Sequence, residues 1–312
     1  MNAIQKLKKG SKREQTARKK IVSMMRTFSG REITIMKRKH LIIIVLLGAS
    51  FVFFPIVASA QNTQQPIELS QDLSITQIAE GIFVVTHSFP WPGNSLLVRV
   101  SPSDVVFVDT PYENTATKLV IEWVREHFGQ VHIVEINTGF HVDNLGGNAY
   151  LLSQHIPVYG SNVTVQFVKE RGEHSRAQIL EWLKAPQYTR FYEVHQQLEF
   201  KVPDHVFNIH DGLQLSIGNE QIEVFFPGPS HSPDNVVVYF PTRRVLFGGC
   251  MIKSLESKNL GFTGDADLAE WPKSVRKVLE KYKDSKIVVP GHGECGDIRL
   301  LHHTLQLLAT CE

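Results

Sequence analysis

Residues 137–147 read NTGFHVDNLGG. The residues just before them, Val131, Ile133, Val134 and Ile136, predict a short strand, and the polar run from 137 to 144 leaves it before Gly146 and Gly147 end the run. His141 and Asp143 therefore stand just beyond a strand's carboxyl end, where parallel strands of layered α/β folds commonly present ligand groups. In an extended segment, side chains two apart point the same way, so both can face one cation. The partners such a pair needs lie far along the chain, at His231, Cys250 and His292. Each again follows an apolar run at a turn rich in glycine or proline.

Working outward from this stretch, strands are expected at 82–85, 95–100, 104–109 and 156–159, with helices at 115–128 and 147–154. Asn114 or Thr115 is the expected cap of the first helix, and Gly129 its end. Two polar-faced helices are expected at 162–172 and 176–183. Residues 87–93 form an aromatic and proline-rich hairpin tip, read either as a flap over a site or as a packed turn. From 197 to 247 the pattern shortens to alternating strands at 200–202, 206–209, 213–217, 222–226, 236–240 and 244–247. A helix at 268–282, a strand at 287–289 and a helix at 297–309 close the chain. Strands followed by helices, twice over, predict an α/β chain folded as an αββα sandwich with two sheets flanked by helices.

The chain has 312 residues, and its first 60 differ in kind from the rest. Residues 1–40 carry 13 Lys and Arg against Glu14 and Glu32. Residues 41–57 are apolar or small, and Ala58-Ser59-Ala60 precede a polar run. That order of basic, apolar and small residues is the pattern of a secretory signal peptide cleaved near Ala60; an uncleaved anchor is the other reading. Met36, followed by three basic residues, would start a leader of ordinary length. Residues 61–312 are read as one domain with 20 Lys and Arg against 29 Asp and Glu, net −9. No basic stripe interleaved with aromatics asks for nucleic acid. Of the cysteines Cys250, Cys295 and Cys311, the last two could pair, leaving Cys250 as an odd thiol.

Cys250 follows Gly248 and Gly249, and His292 sits between Gly291 and Gly293. With Asp143 they offer a zinc ion a carboxylate, a thiolate and an imidazole, leaving a fourth position open, the count of a catalytic rather than a structural site. An ion so held activates water near neutral pH and can hold a leaving nitrogen.

These motifs make the chain resemble the metallo-β-lactamase superfamily, and within it the exported β-lactamases of subclass B1. The family's His-x-His-x-Asp is matched by Gly139, His141 and Asp143, and its third histidine by His231. Its Gly-Gly-Cys is matched at 248–250 and its late Gly-His at Gly291 and His292. Lys253 and Asn259 align with substrate positions, and Asp265, Asp267 and Trp271 follow in the same style. The resemblance covers roughly residues 75–308. It departs at Gly139, where B1 enzymes carry the first histidine, so the three-histidine site keeps only His141 and His231. Loss of that histidine is like subclass B2, but Gly249 and Asn144 are not.

The resemblance implies hydrolysis of the β-lactam amide bond, carbapenems included, by an exported, periplasmic, monomeric enzyme with no stable membrane association once the leader is cleaved. One Zn2+ is expected on Asp143, Cys250 and His292. Three readings stay open at Gly139: a second, weak zinc on His141 and His231; a single zinc, with His141, His231 and Asp143 acting on the attacking water; or a folded protein that binds metal and hydrolyses lactams feebly. Gly139→His is expected to raise bound zinc toward two. Lys253 is expected to meet the substrate carboxylate and Asn259 the lactam carbonyl, with Trp91 and Phe89 covering the apolar side. A hydrolase of the same fold acting on thioesters, lactones or phosphoesters is the alternative.

Overall fold

Successive side chains of an extended chain leave opposite faces, so a strand that is apolar at every position has two faces to bury. A computed structural model describes residues 65–310. The leader expected over residues 1–60, and Cys311 with its expected pairing to Cys295, lie outside them. Strands β1 (Ile67–Ser70), β2 (Leu73–Ala79), β3 (Ile82–Ser88), β4 (Pro92–Arg99), β5 (Asp104–Val108), β6 (His132–Ile136), β7 (Val158–Ser161) and β8 (His205–Phe207) form one sheet in that spatial order. Pairing is antiparallel from β1 to β5 and parallel from β5 to β8. A second sheet holds β9 (Leu213–Ile217), β10 (Glu220–Phe225), β11 (Val237–Phe240), β12 (Val245–Gly249) and β13 (Ile287–Pro290), with β12 and β13 parallel and the rest antiparallel.

The alternation sorts the side chains into layers. Val98, Val106 and Ile136 of the first sheet meet Val224, Val238 and Phe247 of the second in one central core. Their neighbours Leu97, Phe107 and Ile133 turn outward onto helix α1 (Asn114–Phe128) at Val120, Ile121 and Trp123. Across the molecule, Val237, Leu246 and Val288 turn outward onto Trp271, Val275 and Leu301 of two C-terminal helices. The result is the expected αββα sandwich of two mixed sheets flanked by helices. No helix among the described residues is long and apolar enough to cross a membrane.

Four local expectations need correction. Helix α1 is capped by Glu113, not by Asn114 or Thr115; its carboxylate accepts the amide hydrogens of Thr115 and Ala116, where a negative charge also meets the helix dipole. Residues 137–147 do not stay extended through Asp143. His141 caps a one-turn helix α2 (Val142–Leu145), followed by α3 (Asn148–Ser153). The two helices expected at 162–172 and 176–183 are one, α4 (Asn162–Trp182), because Gly172 costs a helix interior only about 1 kcal/mol and its neighbours are good helix formers. Residues 200–202 make no ladder, and Pro203, which lacks an N–H, follows them. A further helix, α5 (Thr189–Gln197), was not expected; α6 (Trp271–Lys281) and α7 (Arg299–Ala309) were.

Candidate active site

Loops leaving β6, β12 and β13 at their carboxyl ends bring Asp143, Cys250 and His292 together. One ligand atom from each lies within 4.8 Å of the others. Cys250 Sγ is 3.1 Å from Asp143 Oδ2 and 3.6 Å from His292 Nε2, and His292 Nε2 is 3.2 Å from Asp143 Oδ2. A thiol, a carboxylate and an imidazole so close, drawn from three distant loops, are a donor set that fits zinc. Burial opposes the charge on Asp143, but His292 and His141 outweigh it and hold its carboxyl well below the usual range. Burial, and then the Asp143 charge, push the Cys250 thiol up, so it would be held as the thiol until a bound cation displaced its proton to solvent.

Surrounding groups orient these ligands. His292 Nδ1 donates to the Pro92 carbonyl at 2.6 Å, which leaves Nε2 free to face Asp143 and Cys250. Asn94 of β4 donates to the carbonyls of Pro290 and Gly293 at 3.0 and 2.7 Å and so pins the loop that carries His292. Behind the motif, the Asp109 carboxylate accepts from Thr138 N, Thr138 Oγ1 and Asn144 Nδ2 at 2.7, 2.7 and 2.8 Å. Burial raises its pKa well above the ordinary carboxyl value. Neither Asn94 nor Asp109 was singled out from sequence. The available signal for Asp109 was its position, directly after the apolar run 105–108 like the other site residues.

His141 and His231 lie next to the triad, their rings 5.1 Å apart and edge to face. Burial disfavours the His141 cation, but its hydrogen bond to Asp265 at 3.1 Å and the Asp143 charge outweigh that, and its pKa is raised. Arg171 on α4 holds the other oxygen of Asp265 at 3.3 Å. His231 is buried and pushed well below its ordinary pKa by burial, then by the Lys253 and His141 charges, and its Nδ1 has no partner. The space beside Gly139 is not empty. A Cβ there would come 2.9 Å from Asn235 Nδ2 and 3.1 Å from Asn144 Oδ1, so a larger residue must displace one amide.

A cavity of about 410 Å³ opens over these groups, lined by His141, Asp143, His231, Lys253 and His292 on its floor. Lys253 is 6 % exposed rather than a solvated surface lysine, with Nζ 5.3 Å from the centre of the Trp271 ring. Burial lowers its pKa, a cost that an incoming carboxylate would relieve. Trp91 lines the cavity. Phe89 does not: it is buried against His87, Phe191 and His195, because its side chain turns into the apolar cluster under α5. Asn259 is exposed and closes a turn, its Oδ1 accepting from Gly261 N at 2.9 Å. The rest of the roof comes from residues not picked out from sequence, Trp182 and Phe262: Trp182 stands edge to face with Trp91 at 6.0 Å and with Phe262 at 5.3 Å.

With fold and site in view, comparisons with known proteins agree with one another. The family model described as the metallo-beta-lactamase superfamily matches residues 88–292. A Bacteroides fragilis protein named metallo-beta-lactamase type 2 is 29% identical over 261 residues, covering 82% of this chain and 92% of its own. One of the same name from Pseudomonas aeruginosa is 33% identical over 243 residues, covering 75% and 83%. The solved structure of a metallo-beta-lactamase from Pontibacter korlensis superimposes with a TM-score of 0.64 at 33% identity, covering 76% of this chain and 99% of its own. A sandwich whose strand ends gather a zinc-type triad, and a sequence matched along most of its length, have one reading: the chain belongs to the metallo-β-lactamase superfamily and has that fold's zinc-dependent hydrolase site.

Proposed function

We propose that this protein is an exported β-lactam hydrolase that works with one zinc ion, held by Asp143, Cys250 and His292. The convergence of those three side chains, with Gly139 where the first histidine would stand and Asn235 and Asn144 filling the space beside it, carries the reading. When bound, zinc supplies a Lewis acid at the cavity floor and stabilises the negative charge that develops as the amide opens. The chain's own groups do the rest. Lys253 draws the substrate carboxylate to the floor and sets the lactam carbonyl over the two imidazoles. His141 takes a proton from the attacking water while Asp265, steadied by Arg171, holds the opposite edge of its ring. His231, kept neutral by burial, presents its unpartnered Nδ1 to orient that water. Trp91, Trp182 and Phe262 cover the ligand and exclude solvent.

Residues 1–60 serve in this proposal as the export leader, and residues 61–312 as a single, monomeric catalytic domain in the periplasm. Use of a single zinc goes with a preference for carbapenems over penicillins in this proposal. Purified zinc-loaded protein is to be assayed against a carbapenem, a penicillin, a thioester and a lactone. Ring opening of the carbapenem with the highest kcat/KM is expected. Turnover confined to the thioester or lactone would assign the site to another hydrolase of this fold.

A further inference from the structure

One buried imidazole in the cavity wall has no part in the chemistry above. His195, on α5, is 1 % exposed and lines the same cavity as the triad, beside Tyr112 and the apolar cluster that holds Ile179, Phe89 and Phe191. Its Nδ1 sits 2.9 Å from the Phe191 carbonyl one helical turn earlier. A carbonyl can only accept, so Nδ1 carries the hydrogen and Nε2 is left as a bare lone pair. That Nε2 is buried and has no hydrogen-bond partner. Phe89 stacks on the imidazole, with planes 18° apart and centres 5.6 Å apart, so the ring cannot easily turn to find another partner. Burial lowers its pKa, which keeps the ring neutral and the lone pair available. A buried acceptor left unpaired is costly, and such groups in folded proteins are nearly always satisfied.

We infer that His195 Nε2 is a specificity anchor that accepts a hydrogen bond from a hydroxyl or amide N–H carried on an apolar substituent of the ligand. The inference rests on the β-lactam reading and deepens it: the triad and Lys253 hold the reacting end of the substrate, and His195 reads the substituent beside it. The surroundings of the ring select an uncharged donor, because Tyr112, Ile179, Phe89 and Phe191 offer no countercharge to a cation. His195 is thus a residue for substrate choice, and no bond is made or broken at it.

The test uses zinc-loaded full chain and two matched pairs of β-lactams: one pair with hydroxyethyl or ethyl beside the lactam carbonyl, the other with an acylamino group or none. Wild type is expected to favour the donor-bearing member of at least one pair in kcat/KM by about tenfold or more. His195→Phe keeps the stacked ring volume and should erase that preference while leaving the other member within about threefold. His195→Gln, which can return an acceptor, should restore part of it. Because these variants remove the bond to the Phe191 carbonyl, a second readout uses wild type alone. In protein labelled with 15N-histidine, the Nε2 resonance of His195 should move toward that of a hydrogen-bonded nitrogen when the ring-opened donor-bearing product is added, and not with its donor-free counterpart. Equal loss for both members of each pair in His195→Phe, with an unmoved resonance, overturns the anchor and leaves the lactam reading standing. Failure of wild type to open any of the four lactams overturns both.

Discussion

Cys250 is the residue on which metal retention turns. The residue is 1 % exposed and its sulfur lies within 3.6 Å of both other triad atoms, so replacing it with serine exchanges a soft ligand for a hard, weakly acidic one in almost the same volume. Cys250→Ser should keep the fold and lose most zinc at low free metal; equilibrium dialysis showing retained tight binding would mean that the thiol is only packing. Gly139 poses the opposite question. Gly139→His would bring a third imidazole to His141 and His231, but its Cβ meets Asn235, whose Oδ1 is already held by Ser232 N at 2.9 Å. The substitution should raise bound zinc toward two while costing about 1–3 kcal/mol in the metal-free protein. Metal content unchanged at one would show that something besides the missing imidazole blocks the second site. His87 carries a pH signature. Its pKa is lowered to about 4, chiefly by burial, against about 6.5 in an unfolded chain. Between those values the unfolded chain binds the proton and the folded one does not, so stability rises with pH. Acidification should therefore cost the fold up to about 3 kcal/mol, starting near pH 6.5 and complete near pH 4. Metal-free His87→Gln should show a shallower loss in urea unfolding across that range; an identical slope would place the acid sensitivity elsewhere.

Among the elements, β4 does work that its sequence does not announce. Leu96 and Val98 mark it as a core strand, yet Asn94 on the same strand reaches across to the loop after β13. Asn94→Ala would leave two carbonyls without their donor and free the loop that carries His292. The expected cost is about 2–4 kcal/mol in stability, with zinc affinity falling about tenfold to a hundredfold. Zinc competition showing unchanged affinity would remove Asn94 from the metal's support. This element also marks how far the sequence could be read. Strands with continuous apolar runs, such as 105–108 and 245–247, and the triad at their ends, were legible because period and loop position depend on neighbours in the chain. Asn94, Asp109 and Trp182 were not, and Asp265 was read only as part of the family pattern without its bond to His141, because their meaning comes from contacts between segments that are far apart in sequence. Phe89 shows the same limit from the other side: an aromatic at a hairpin tip reads as exposed, and only the α5 cluster reveals that it is buried. Helix α5 escaped notice because its polar face outweighs its few buried residues, Phe191 and His195.

At the scale of the whole molecule, two sheets share one core and each leans on its own helices, which leaves the strand ends to form a rigid floor. Three loops from β6, β12 and β13 can then deliver a carboxylate, a thiol and an imidazole to one point without rearrangement. The roof is of a different kind, built from the β3–β4 hairpin, α4 and the loop at Phe262, each meeting the next through aromatic edges. A stiff metal-binding floor under a separately built aromatic roof lets the reacting end and the substituent of a ligand be recognised by different parts of the fold. Everything proposed for this chain depends on one zinc at that floor being enough for lactam opening. The direct measurement is to add zinc stepwise to metal-free protein while following carbapenem hydrolysis. The rate should climb linearly and level off at one zinc per chain. A rate that stays at zero up to one equivalent and appears only toward the second, or no hydrolysis at any loading, would contradict the account.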